Sequence, residues 1–136
     1  MPRRRPHDIR RPRTTPGSPR TDINGLSQRA NAAIRYVEDV HLWPGATAKA
    51  LAMYTWLLRR PGRWLDGDPV HSPGIEPEDG RDTLQDVIDL LPPAPRRELA
   101  RLLKPFDDDY YRRTTPLPLH GGEDPARWWW HRDREL

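Results

Sequence analysis

The chain has no cysteine, one phenylalanine, two lysines (Lys49 and Lys104) and three serines (Ser18, Ser27 and Ser72) in its 136 residues. Without cysteine there are no disulfides, thiolate metal ligands or cysteine nucleophiles, and the composition fits a reducing compartment. None of the serines sits in a G-x-S-x-G elbow. There is no P-loop and no G-x-G-x-x-G following a strand. The five histidines, His7, His41, His71, His120 and His131, fall in neither H-x-x-x-H nor H-E-x-x-H spacing. The sequence therefore offers no catalytic residue, no cofactor-binding residue, no metal ligand set and no sign of a small-molecule substrate. Its reading is that of a protein that is not an enzyme.

Two acidic groups need a separate word. Asp66-Gly67-Asp68 with His71, and Asp107-Asp108-Asp109, have the carboxylates a hard cation wants. The first lacks the continuation of an EF-hand, and turn chemistry explains it. The second has arginines four residues on, in the pairs Asp108/Arg112 and Asp109/Arg113.

Long hydrophobic runs are also missing. The most apolar stretch, Ala46 to Leu58, is 13 residues and contains Lys49; a transmembrane helix needs about 20. The basic N-terminal residues are not followed by the apolar region of a secretory signal. The expectation is a cytoplasmic protein with no membrane partner.

What the chain has in excess is proline, 17 residues, and arginine, which supplies all but two of its 23 basic side chains. Such an arginine bias is the mark of high-GC coding. Apolar residues reach only 35% and charged residues 32%, so any core must be small. The formal net charge of +3 averages two unlike regions. Residues 1–20 hold Arg3, Arg4, Arg5, Arg10, Arg11, Arg13 and Arg20 against Asp8 alone, a net +6; the remainder is −3. With five prolines and Ile9 as its one branched apolar side chain, segment 1–20 cannot bury enough surface to order itself. It is expected to be disordered with polyproline II character. Two readings of it stand: electrostatic attachment to nucleic acid, or a solubilising leader without a specific partner.

Four helical patterns follow. Over 22–42, Ile23, Leu26, Ala30, Ala33, Val37 and Val40 form one apolar stripe, with Thr21 or Asp22 as cap and Pro44-Gly45 as stop. Over 46–60, Leu51, Met53, Tyr54, Trp56, Leu57 and Leu58 leave almost no polar face, the pattern of a central buried helix. A long connection, 61–80, separates this from a third helix over 81–91, with Leu84, Val87, Ile88 and Leu91 inward. After Pro92-Pro93 a fourth helix opens at Pro95 and repeats the spacing with Leu99, Leu102, Leu103 and Phe106. Pro105 should kink or end it, with a further turn through Arg113. Together these predict an all-α domain of four or five helices over 21–115, between the basic tail and an extended Trp-rich arm over 116–136.

The third and fourth helices superpose with a shift of 15 residues. Apolar positions match, and the charges match in place with opposite sign. Asp82, Asp86 and Asp89 fall on Arg97, Arg101 and Lys104. Each triad lies opposite its own apolar face, so both are expected to point outward. Asp82, Asp86 and Asp89, with Trp128, Trp129 and Trp130, are then the candidate protein-contact residues. Arg97, Arg101 and Lys104, with Arg3, Arg4, Arg5, Arg10, Arg11 and Arg13, are the candidate nucleic-acid contacts. The three tryptophans either close the core or form a partner hot spot, with Arg127 and Arg132 alongside for cation–π contact. At most two of three successive tryptophans can dock into one groove.

The stretch Leu91-Pro92-Pro93, Arg96-Arg97-Glu98-Leu99, Leu102, Pro105-Phe106-Asp107, Tyr111, Arg113-Thr114, Pro116 and Trp128–Trp130 resembles a group of short uncharacterised helical proteins of high-GC bacteria. It covers the last third of the chain. The resemblance implies no activity, ligand or site residue. The functional expectation is an accessory protein acting through contacts with another protein or its own copy. The alternative is a nucleic-acid-associated factor using the tail and the fourth helix's basic face.

Overall fold

In the computed structural model, which describes residues 22–59, 77–117 and 126–133, the apolar patterns become four α-helices. They are α1 (Gln28–His41), α2 (Ala46–Leu58), α3 (Pro77–Leu90) and α4 (Pro93–Arg112). Two short strands, β1 (Thr115–Pro116) and β2 (Arg132–Asp133), pair antiparallel, and a 3₁₀ turn, Trp128–His131, precedes β2. The fold is a small all-α domain. No helix among the described residues is long and apolar enough to cross a membrane.

The helix ends explain the boundaries. The first helix starts six residues later than its stripe suggested, because Ser27 caps it: the Ser27 hydroxyl accepts from the Ala30 N–H at 3.0 Å. Glu98 of α4 completes the cap from across the domain, accepting from the Ser27 N–H at 3.0 Å and hydroxyl at 2.9 Å. These bonds hold the Glu98 carboxyl below its ordinary range, with Arg101 and Arg29 adding to the effect. Thr21 lies outside the described residues, and Asp22 pairs with Arg35 instead. Buried Asn31 ties the preceding turn down, accepting from the Ile23 N–H at 2.8 Å. Gly25 in that turn has φ +93° and abuts Leu102 of α4, where a Cβ would stand 3.0 Å from the side chain. Val40 leaves the stripe and is exposed, while Ile34 takes an inward place.

Glu38, buried near the end of α1, caps α2 by accepting from the Gly45 and Thr47 N–H groups at 3.1 and 2.8 Å. A carboxylate here also meets the positive end of the helix dipole. α2 is not the buried centre its sequence suggested. Ala46, Ala50, Tyr54 and Leu58 face inward, but Trp56 is exposed. α3 packs closely along α2. Gly80 permits this: a Cβ there would stand 2.6 Å from the Ala50 carbonyl oxygen. α3 opens at Pro77, so the last residues of the expected 61–80 connection are helical; 60–76 lie outside the described residues.

α4 continues past Pro105 as one helix, so the stop that was one of two expectations does not occur. Pro105 and Arg101 are both exposed, where water can replace the donor that the Arg101 carbonyl loses. Arg96 closes the far side of the α3–α4 turn, donating to the carbonyls of Ile88, Asp89 and Leu91 at 3.0, 3.3 and 3.0 Å. The core gathers Ile34, Val37, Tyr54, Leu84, Val87, Leu91, Leu99, Leu103, Tyr110 and Trp129.

Candidate functional site: a tryptophan-framed groove beside a closed polar cluster

The C-terminal arm was expected to be extended and the acidic triad to face outward. Among the described residues Asp86 and Asp89 are exposed as expected, whereas Asp82 is half-buried and residues 126–133 form a 3₁₀ turn and a short strand rather than a wholly extended arm. Residues 126–133 fold back onto α3 and α4 through the 3₁₀ turn and the β1–β2 pair. Asp82 is the anchor. Its Oδ1 accepts from Arg127 Nη1 at 2.9 Å, Trp129 Nε1 at 2.9 Å and Trp130 Nε1 at 2.8 Å. Asp86 takes the other arm of the same guanidinium, Arg127 Nη2, at 2.7 Å. Asp89 accepts from Gln85 on its own helix at 2.9 Å. The reason for the correction is chemical: two indole N–H groups and a guanidinium, brought back by the arm, need acceptors, and the α3 carboxylates supply them.

The three tryptophans divide. Trp129 is buried at 1% exposure, Trp128 is half-buried and Trp130 keeps 39% of its surface. Trp128 meets Tyr110, Tyr111 and Trp129 edge-on, with centroids 5.6–5.9 Å apart. Arg81 lies over the Trp129 ring at 4.3 Å, and Arg132 over Tyr111 at 3.8 Å. Arg132 also donates to the Thr114 hydroxyl and carbonyl at 2.6 and 2.8 Å, which fixes the strand pair.

Under Trp129 lies a polar cluster that the sequence did not reveal. Arg81, buried, grips Asp107 with two bonds, Nε to Oδ1 at 2.9 Å and Nη2 to Oδ2 at 3.0 Å. The Tyr54 hydroxyl donates to Asp107 Oδ1 at 2.7 Å. Burial, reinforced by the Asp107 charge, raises the Tyr54 phenol well above its ordinary value of about 10. Next to it the Tyr110 hydroxyl donates to Glu78 Oε1 at 2.8 Å. Arg113, buried, donates to the Leu58 carbonyl at 2.9 Å and ends α2. The donors and acceptors of this cluster face one another, and Trp129 covers them. As chemistry it is a lock between α2, α3, α4 and the arm. Asp107, Asp108 and Asp109 are spoken for by Arg81, Lys104 and the Arg112/Arg113 pair, respectively.

Among the described residues a groove of about 340 Å³ opens between α2 and α3. Trp43, Ala46, Lys49, Ala50 and Met53 line one wall, and Asp79, Gly80, Asp82 and Thr83 the other. Gly80 lets the helices meet at its floor. Trp43 is 54% exposed at the rim. Trp56, 52% exposed, continues the row of Lys49 and Met53 one turn along α2. Trp130 donates to Asp82, one of the residues of the second wall. On sequence alone Trp56 falls in a buried helix and Trp43 has no role; the available signal is that Trp56 lies about 200° round the helix from Tyr54.

On the opposite side, Arg97, Arg101 and Lys104 of α4 are exposed, and Lys104 pairs with Asp108 at 3.0 Å. Arg3, Arg4, Arg5, Arg10, Arg11 and Arg13, and the Asp66–His71 group, lie outside the described residues. No group of three or more potential metal ligands occurs among the described residues. Compared with known protein families, curated proteins and solved structures, the chain matches none.

Proposed function

We propose that this protein is a non-enzymatic contact module whose α2–α3 groove receives a segment of a partner protein. The observation behind this reading is that exposed Trp43 lines an open, largely apolar groove, with exposed Trp56 one turn beyond Met53 on the same helix. Exposed tryptophan beside a concave apolar surface is the composition of binding hot spots. Ala46, Ala50 and Met53 offer an apolar wall beside Trp43. The complementary segment presents an apolar side chain. The groove replaces the acidic triad as the contact surface, because Asp82 and Asp86 hold the arm.

Site-specific photo-crosslinking in cells tests the reading. A crosslinker at Met53 should trap a defined partner that a crosslinker at Ala100, on the exposed side of α4, does not. Trp43→Ala with Trp56→Ala should abolish the adduct while leaving the thermal melt in place. The same adducts from both positions, or none from Met53, would sink it.

A further inference from the structure

Half of the large exposed apolar side chains among the described residues lie on α1, α2 and the turn between them: Tyr36, Val40, Trp43 and Trp56. Tyr36 and Val40 sit one turn apart on α1, about 40° from each other round the helix, and are 69% and 54% exposed. Asp39, also exposed, flanks this stripe about 60° round from Tyr36. Trp43 follows Val40 by three residues, so their Cα atoms are within about 10 Å, and Trp43 lines the α2–α3 groove. Stripe and groove therefore adjoin. The groove wall carries a cation, Lys49, which is exposed. Among the described residues no carboxylate pairs with Lys49, whereas the chain's other lysine, Lys104, is held by Asp108, and Asp82 of the groove by the arm. Each surface holds what the other lacks: an apolar stripe with an acid beside it, and an apolar wall with a base on it.

We infer that two copies of this chain associate about a two-fold axis, the α1 stripe of each seated in the α2–α3 groove of the other, with Asp39 of one copy beside Lys49 of the second. The inference rests on the groove reading above and names the occupant. A two-fold interface must be self-complementary, each patch meeting its own copy reversed. An apolar stripe and an apolar groove that adjoin on one chain, with opposite charges on the two, meet that condition. Tyr36, Trp43 and Trp56 each expose more than half of their surface, and aromatic side chains bury roughly 150–250 Å² each when covered. With Val40 they supply about half of the roughly 800 Å² per partner of a standard interface. The dimer is therefore a weak one that forms and dissociates with concentration. The pairing of Asp39 with Lys49 fixes the register of the two copies more than it adds affinity.

The test is sedimentation equilibrium of the full chain over a series of concentrations, which should show monomer and dimer in exchange. Tyr36→Ser should weaken association by about tenfold or more while leaving the thermal melt in place, since Tyr36 is exposed. Lys49→Glu should weaken it by about tenfold, because it sets like charges together at both ends of the two-fold. Adding Asp39→Lys to Lys49→Glu should bring association back to within about threefold of wild type. A monomer at every concentration overturns the inference. So does a dimer that ignores Tyr36→Ser, and so does a Lys49→Glu loss that Asp39→Lys does not repair. The crosslinker at Met53 separates this inference from the groove reading. A second copy in the adduct supports both, a different protein overturns the inference alone, and no adduct overturns both.

Discussion

The acidic face of α3 and the basic face of α4 have the same spacing and opposite charge, yet the molecule uses them in opposite ways. Asp82 is drawn into a joint by chemistry from 45–48 residues downstream: Arg127, Trp129 and Trp130 come back and donate to it, and Arg127 also reaches Asp86, which stays exposed. Arg97 and Arg101 meet no returning segment among the described residues. A charged stripe on a helix is thus an acceptor set awaiting assignment, and whether it becomes surface or joint depends on what the rest of the chain brings to it. Here the joint takes up Asp82 and leaves Asp86 and Asp89 at the surface.

The largest effect should come from breaking the joint. Trp129→Ala removes a fully buried indole and uncovers Arg81; it should cost about 3–5 kcal/mol, the range for large aromatic truncations. At roughly 4–8 °C per kcal/mol for a domain of this size, the thermal midpoint should drop by well over 10 °C. A drop of a degree or two would mean the arm adds little to the fold.

Titration of the cluster beneath the arm sharpens the same point. Tyr54 has a raised pKa, so its contribution is complete below the unfolded value of about 10 and is lost as pH rises above it. Melts in the alkaline range should show steep destabilisation that Tyr54→Phe flattens. If both proteins respond alike, the Tyr54–Asp107 bond is not the sensitive group.

A smaller effect belongs to the basic side. Glu98 has a depressed pKa, so what it gives the Ser27 cap is present above the ordinary carboxyl value of 4.5 and disappears as pH falls below it. Glu98→Gln should blunt the acid-side loss in thermal midpoint. Identical acid profiles for the two proteins would count against the cross-domain cap. The smallest effect is expected from Arg97→Ser with Arg101→Ser, within about 0.5 kcal/mol of wild type by denaturant melt. A loss above 1 kcal/mol would show that these arginines belong to the fold.

Periodicity made the four helices legible, because the apolar spacing of Leu84, Val87, Ile88 and Leu91 and of Leu99, Leu102 and Leu103 is a local property. Their ends were less so. Ser27 could be read as a cap, but the Glu98 carboxylate that completes it is 71 residues away. Pro105 was read as a kink or an end because its missing donor was weighed without knowing that Pro105 and Arg101 are exposed. For the candidate site, the tryptophans themselves stood out, but their division did not: which of Trp128–Trp130 is buried depends on the turn that points Trp129 under Arg81. Asp107 stood out only as one of three successive carboxylates; its pairing with Arg81 gave no signal, since a pair 26 residues apart across two helices has no period.

The claim that the acidic face is a joint is tested most directly by a double-mutant cycle between Asp82→Ala and Arg127→Ala, read by denaturant unfolding. If Arg127 holds the arm on Asp82, the two losses should fall short of additivity by about 1 kcal/mol, within the range seen for residues in contact. Losses that add to within about 0.3–0.5 kcal/mol would show two independent sites, and the acidic face would then be a surface after all.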